Sequence, residues 1–473
     1  MDRRKRPGPV SRRTFLAGSA ASAATLLAAC SSGGSSGAKR GAPTSSGRAT
    51  TAGGGSSKAK RAPRQPGERW DVGRPEGTDL LPRIEHVVVV MMENHSYDNY
   101  FGLLGRGDGF SLDRNGAPTN ACPAPDGKLQ QAFPMANTCQ YPKVPSQAWN
   151  ATHVQWNQGR MDGFVRSDSG PVAMGYWTGK DLPYYAGLGK TFVLCDRWFG
   201  SCMGQTYPNR RFLLAATARG NIRTTAETLT DPPPPNGTIM EALGRHSIGW
   251  KNYYTDLPTT GLYLPVLQAN GDKVVKVDEF FADAAAGRLP AFSLLDPNFD
   301  HGSEENSEDI TRGEAFAARV INAVMASPAW PRTVLIWCYD EHGGYYDHVA
   351  PPAAPAPDDV PPKLLPGDVP GTYAQLGMRV PAVVVSPMAK RGYVSHRVHD
   401  HTSVLALLEH KFNLPALTQR DGWADDLLDC LDLETKPAFA DPPKLPPPAN
   451  TAPWGPDGTP PPLCAAGGPI PQV

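Results

Sequence analysis

Two apolar runs of this 473-residue chain each end in a knot of acid, amide and histidine. Residues 87–92 lead into Glu93, Asn94 and His95, and residues 334–338 lead into Asp340, Glu341 and His342. A short apolar run bounded by polar residues reads as a buried strand, and in parallel sheets reactive groups gather beyond the carboxyl ends of such strands. Two distant segments can therefore supply one pocket. Placing the carboxylates of Glu93, Asp340 and Glu341 in one cleft is unfavourable unless they take up protons or a cation sits among them. Oxygen donors suit a hard divalent cation, whereas zinc more often takes histidine or cysteine. The pattern points to one divalent metal ion of open identity and to a metal-dependent hydrolase.

Elements that would position these groups recur along the chain. Strands are expected at residues 84–92, 191–194, 248–253, 292–295, 333–339 and 380–385, with helices between them. Thr238 with Glu241 and Thr311 with Glu314 both fit a capping box, in which the two side chains satisfy opposite ends of the first helical turn. The second box opens a run carrying Phe316, Val320 and Val324 on one face, and residues 402–412 carry Val404, Leu407 and Leu408 inward. This alternation predicts an α/β fold, a three-layer sandwich around a mostly parallel sheet. Residues 105–142 and 350–372 are expected to be long loop insertions lining the site.

The ends read differently. Ser11-Arg12-Arg13-Thr14-Phe15-Leu16 matches a twin-arginine export signal, and Leu27-Ala28-Ala29-Cys30 resembles a lipobox with Cys30 as the lipidated residue. Residues 1–30 are thus a Tat-type lipoprotein signal peptide, with 31–79 a Ser/Gly/Ala-rich linker, 80–440 the catalytic domain and 441–473 a proline-rich tail. The expected location is the cell surface, with acyl chains on Cys30 holding the protein to the outer face of the membrane. Lys and Arg number 46, as do Asp and Glu, so nothing in the charge favours nucleic acid as a partner. Seven cysteines besides Cys30 leave at least one thiol free; Cys122–Cys139 is the first-choice disulfide and Cys430–Cys464 the second. Cys338 reads as a small core residue.

Six stations in chain order carry a resemblance. They are Glu93-Asn94-His95-Ser96-Tyr97-Asp98-Asn99-Tyr100-Phe101-Gly102, Met161-Asp162-Gly163-Phe164, Asp181-Leu182-Pro183-Tyr184-Tyr185, Thr206-Tyr207-Pro208-Asn209-Arg210, Asp340-Glu341-His342-Gly343-Gly344 with Asp347-His348, and Asp400-His401-Thr402-Ser403. Together they resemble the bacterial phosphoesterase family of phospholipase C and acid phosphatase, which is similar to alkaline phosphatase in fold. The resemblance implies that Glu93, Asn94, Asp340 and Glu341 hold the metal and that Thr206 is the nucleophile. His153, His301 and His348, the last beside Asp347, are its acid–base candidates. His342 and His401 are candidate supports. Each residue has a plainer reading: Asn94 as a helix cap, Thr206 as a turn residue before Pro208, Asp340 and Glu341 as ligands of a structural calcium ion. The chain departs from the family after His301, where Gly302 to Ser307 replace a His-Pro-containing stretch and Glu304 is a partial substitute in polar contacts.

The chemistry implied is attack on phosphorus by a metal-activated Thr206 hydroxyl, with a histidine protonating the departing alcohol. For a phosphatidylcholine-type phospholipid the products are diacylglycerol and a phosphorylated head group, and Trp177, Tyr184, Tyr185 and Tyr207 are aromatics available to a quaternary ammonium. An acid phosphatase acting on small phosphate monoesters is the alternative, and a surface-anchored binding protein with an inactive phosphoesterase fold is the second. A His-Glu-x-x-His metalloprotease motif is absent from the sequence.

Overall fold

The computed structural model describes residues 62–140, 145–306 and 308–450. The Cys30 lipobox, the twin-arginine motif and Cys464 lie outside the described residues. Eight strands form one sheet: β1 (His86–Met92), β2 (Val193–Cys195), β3 (Trp250–Tyr254), β4 (Val274–Lys276), β5 (Phe292–Asp296), β6 (Thr333–Tyr339), β7 (Ala382–Val385) and β8 (Val394–Ser395). Their order is β8-β2-β7-β6-β1-β5-β3-β4. All neighbours run parallel except β7, which is antiparallel to both β6 and β2.

The central pair explains why the pattern was legible. Met92 of β1 lies opposite Tyr339 of β6, so the two strands end in register and release Glu93 and Asp340 at the same edge. Every residue of β6 is buried, and so are the last six of β1, which is the condition for a continuous apolar run rather than an alternating one. β5 ends beside them at Asp296. Three carboxylates thus meet at one edge because three parallel strands stop there.

Ten helices among the described residues surround the sheet: α1 (Tyr97–Phe101), α2 (Trp149–Trp156), α3 (Pro183–Thr191), α4 (Thr206–Ala215), α5 (Ile239–Arg245), α6 (Leu264–Ala269), α7 (Val277–Ala285), α8 (Ile310–Met325), α9 (Thr402–Lys411) and α10 (Gln419–Trp423). α8 packs with α3 and α7, while α4 packs with α5 and α9, so two helix groups cover a sheet buried on both faces. The α/β sandwich expected from the sequence is the one observed.

Several local expectations are corrected. The capping box of Thr238 and Glu241 forms on α5. That of Thr311 and Glu314 does not: Asp309 caps α8 by accepting from the Thr311 amide, while Glu314 accepts from the amides of Tyr184, Tyr185 and Ala449. The compact unit begins at Pro63, ahead of the boundary at 80. Buried Arg64 pairs with Glu409 at 2.5 Å, and Asn413 donates to the carbonyls of Asp71, Arg74 and Pro75. Both disulfide expectations fail at the described cysteines. Cys122 and Cys430 are free buried thiols, as are Cys195, Cys202 and Cys338. Cys139 is disulfide-bonded, but not to Cys122.

Candidate active site

Beyond β1 the chain turns at once, because Asn94 adopts a left-handed conformation (φ 71°), which asparagine tolerates better than most residues. Asn94 is not a helix cap; Ser96 caps α1 by accepting from the Asn99 amide. Beyond β6, Gly343 is also left-handed (φ 65°), and a Cβ there would lie 1.8 Å from the Asn94 carbonyl oxygen. Only glycine lets the two loops approach this closely. The Asp340 carboxylate accepts from the amides of Asn94 at 3.4 Å and Glu341 at 2.7 Å, which ties the two strand ends together.

Charge in this cluster is balanced by Arg210. Its Nε donates to Asp340 Oδ2 at 3.0 Å, Nη1 lies 3.4 Å from Asp296 Oδ1, and Nη2 lies 3.9 Å from Glu93 Oε1. All four side chains are buried. Arg210 therefore occupies space between Asp340 and Glu93, and Glu93, Asp340 and Glu341 are not among the groups of described residues whose ligand atoms all lie within 4.8 Å of one another. One guanidinium does not serve every acid. Glu341 Oε1 and both side-chain polar atoms of Asn94 are buried without a hydrogen-bond partner. Burial, then the Asp340 charge, pushes the Glu341 carboxyl well above the ordinary range, and burial also raises Asp340 against the opposing pull of Arg210. Orphaned oxygens and carboxyls that resist ionisation are what a hard cation would relieve, so these residues fit a divalent ion chemically.

Thr206 is the first residue of α4, with Pro208 in its first turn, and is nearly buried. It opens a helix rather than closing a turn. Asn209 fixes the preceding loop: its Oδ1 accepts from the Cys202 amide, and its Nδ2 donates to the carbonyls of Gly204 and Gln205. Residues four apart share a helix face, so Thr206 sits one turn from Arg210 and the acids it binds.

The histidines divide by role. His401 donates from Nε2 to the Asp340 carbonyl at 2.6 Å while Nδ1 accepts from Trp198, and burial lowers its pKa to about 4, so a neutral ring holds the backbone of a candidate ligand. His342, lowered to about 3 by burial, bridges Gln155 Oε1 at 2.7 Å and Glu341 Oε2 at 3.6 Å. Each ring thus lies against a candidate ligand. His153 bonds the Trp149 carbonyl through Nδ1 and lies against the Trp149 ring at a tilt of 41°, and its Nε2 faces Gly371.

His348 and Asp347 belong to a second ion network. Arg379 donates to Asp347 at 2.9 Å and to Asp98 at 3.0 Å, and His348 Nδ1 lies 2.7 Å from Asp98. Burial disfavours the charged His348 ring, but Asp98 and Asp347 outweigh it and raise its pKa to about 9. The side-chain hydrogen bonds of this pair go to Arg379, Asp98, Asp108 and the Val349 amide rather than to the acids beyond β1 and β6. His301 is half-buried in the turn after β5, and its ring makes no hydrogen bond among the described residues. Two residues before it, the Phe299 ring lies 4.9 Å from the Arg210 guanidinium, which brings this turn to the acid cluster.

Arg210 and Asp296 are the site residues that sequence reading missed. The signal for Arg210 was its spacing of four from Thr206, and for Asp296 its place at the end of an apolar strand. Glu304 takes part in polar contacts, as expected, but in an aromatic cage: it accepts from the hydroxyls of Tyr100, Tyr185 and Tyr339 at 2.6, 2.6 and 2.5 Å.

Residues 84–415 match the model of the Phosphoesterase family. The chain is 30% identical over 396 residues to non-specific phospholipase C6 of Arabidopsis thaliana, covering 77% of this chain and 75% of that protein. It is 31% identical over 386 residues to the non-hemolytic phospholipase C of Pseudomonas aeruginosa, covering 71% of this chain and 54% of that protein, so it spans about half that relative's length. A crystal structure described as a protein in the alkaline phosphatase superfamily from Vibrio parahaemolyticus covers 76% of this chain and 72% of that one, at 11% identity and a TM-score of 0.38, a likeness on which nothing further rests.

Proposed function

Because the chain belongs to the Phosphoesterase family and is a phosphoric ester hydrolase, we propose that it is a phospholipase C that cleaves phosphatidylcholine-type lipids, with Thr206 as nucleophile. The observation that carries this reading is the placement of Thr206 at the start of α4, one turn from the Arg210 that pairs with Asp340. In this reading the Thr206 oxygen attacks phosphorus in line and displaces diacylglycerol. The Thr206 proton passes to solvent, and water then hydrolyses the resulting threonine phosphodiester, which still carries the head group, to release the phosphorylated head group and restore the hydroxyl. The positive end of the α4 dipole faces the developing charge on the phosphoryl group. His301, whose ring has no hydrogen-bond partner among the described residues, is the group that protonates the departing alcohol oxygen; His153 and His348, already committed to Trp149 and Asp98, are poorer donors.

Glu93, Asn94, Asp340 and Glu341 would hold a divalent cation, whose contribution is to lower the pKa of the Thr206 hydroxyl and offset phosphoryl charge. Arg210 keeps Asp340 and Glu93 oriented by pairing with the oxygens that face it. Export through the twin-arginine signal and attachment at Cys30 complete the proposal, placing the enzyme where it meets lipid.

The test compares turnover of p-nitrophenyl phosphorylcholine and p-nitrophenyl phosphate, with and without chelator, by wild type and Thr206→Ala. Preference for the diester, loss on chelation and a fall of about 10³-fold or more in the variant are expected. A preference for the monoester would establish a phosphatase instead. Equal rates from wild type and Thr206→Ala would remove the nucleophile from the scheme.

A further inference from the structure

A second cluster of ligating side chains lies at one end of the sheet order, where β2 and β8 pair. Cys195 ends β2, His399 lies in the loop between β8 and α9, and Cys430 closes a short helical turn over residues Leu428–Cys430. One ligand atom from each lies within 4.8 Å of the others, and all three residues are 1% exposed or less. Asp429 adds an oxygen, with Oδ1 3.5 Å from Cys430 Sγ and 3.6 Å from His399 Nε2. We propose that Cys195, His399 and Cys430, with Asp429 beside them, form a structural site for a thiophilic divalent cation of the zinc type.

The distances favour a cation over the two plainer readings, a disulfide and a pair of packed thiols. Cys195 Sγ and Cys430 Sγ are 3.9 Å apart. A disulfide requires about 2.05 Å. Zinc bonds of about 2.3 Å to sulfur and about 2.1 Å to nitrogen or oxygen, at tetrahedral angles, give edges of about 3.8 Å for sulfur–sulfur, about 3.6 Å for sulfur–oxygen and about 3.4 Å for nitrogen–oxygen. The observed 3.9, 3.5 and 3.6 Å follow these edges. Two thiols packed only as apolar volume would have no need of a buried imidazole and a carboxylate alongside.

The surroundings are arranged as a metal site requires. Asp429 Oδ2 is held by the hydroxyls of Ser395 at 2.5 Å and Tyr393 at 3.2 Å, which leaves Oδ1 turned toward Cys430 and His399. Behind the imidazole, Asp425 Oδ1 lies 3.8 Å from His399 Nδ1, and that nitrogen is buried without a hydrogen-bond partner. His399 Nε2 also lies 3.1 Å from the Ser395 hydroxyl, a contact it would exchange for the cation, while Asp425, on the Nδ1 side of the ring, is held by Arg397 at 2.8 Å. The site would fasten the segment around Cys430 to the sheet edge. Its donors include sulfur, whereas those beyond β1 and β6 are oxygens, so the two sites would select different metals.

The experiment uses the full chain produced with cobalt in place of zinc. A thiolate-to-cobalt charge-transfer absorption in the near ultraviolet is expected in wild type and in Asp340→Asn, and its loss is expected in Cys195→Ser and Cys430→Ser. Wild type without the band would overturn the site, as would a band that survives both cysteine variants, or a Cys195–Cys430 disulfide in denatured, unreduced protein. If the cysteine variants do not fold, Asp425→Asn keeps every ligand and should weaken retention of the ion against a competing chelator by about 10- to 100-fold. Unchanged retention in that variant would count against the site.

Discussion

His301 and Arg210 divide the work at the candidate site, one as a proton donor and the other as a fixed charge. Protonating an alkoxide matters only when the leaving group is a poor one. His301→Gln should therefore lower kcat on phosphatidylcholine by about 10²- to 10⁴-fold and hardly change it on p-nitrophenyl phosphorylcholine, whose leaving group departs as a stable anion. Equal losses on both substrates would show that His301 does something else. Arg210→Met acts earlier, on folding. It leaves Asp340, Asp296 and Glu93 in the interior without their cation, and removing one partner of a buried ion network costs about 3–5 kcal/mol. Denaturant melts should show a loss of that size without added metal, while a loss below about 1 kcal/mol would mean that the acids are neutral in the native state.

At the scale of elements, the Glu304 cage joins α1, α3 and β6 through Tyr100, Tyr185 and Tyr339. Burial raises the Glu304 pKa from 4.5 to about 8 against the three hydroxyls that favour its charge. Between those values the native state keeps a proton that the unfolded chain releases, so stability falls as pH rises through this window and levels off above it. Glu304→Gln has no proton to lose. The stability of wild type relative to this variant should fall by about 4 kcal/mol from pH 4.5 to pH 8, and parallel pH profiles would sink the idea.

What could be read from the sequence follows the same physics. β1 and β6 were legible because strands buried on both faces are continuous apolar runs, and the acids after them stood out for the same reason. β4 and β8 were not, being edge strands of three and two residues with mixed burial. The reversed direction of β7, the use of Glu314 by α3 and the free state of Cys122 and Cys430 depend on which distant segments meet. So does the pairing of Arg210 with three acids from three strands, which local spacing does not encode.

For the whole molecule, the proposed surface location requires something that holds it at a membrane. Among the described residues no helix is long and apolar enough to cross a bilayer. Removing residues 1–29, which carry six basic and one acidic side chains, would leave 40 basic and 45 acidic side chains, so no net field draws the processed chain to anionic lipid. Retention would then rest on acylation of Cys30, which contributes about 0.8 kcal/mol per buried methylene. Cys30→Ala should move the protein from the membrane fraction of expressing cells to the soluble fraction, at low and high salt alike. Turnover of soluble p-nitrophenyl phosphorylcholine per molecule should not change, because the compact unit begins only at Pro63. A variant that stays with the membranes until salt is raised would assign retention to charged side chains instead, and one that stays at every salt concentration would assign it to an apolar surface of the folded unit.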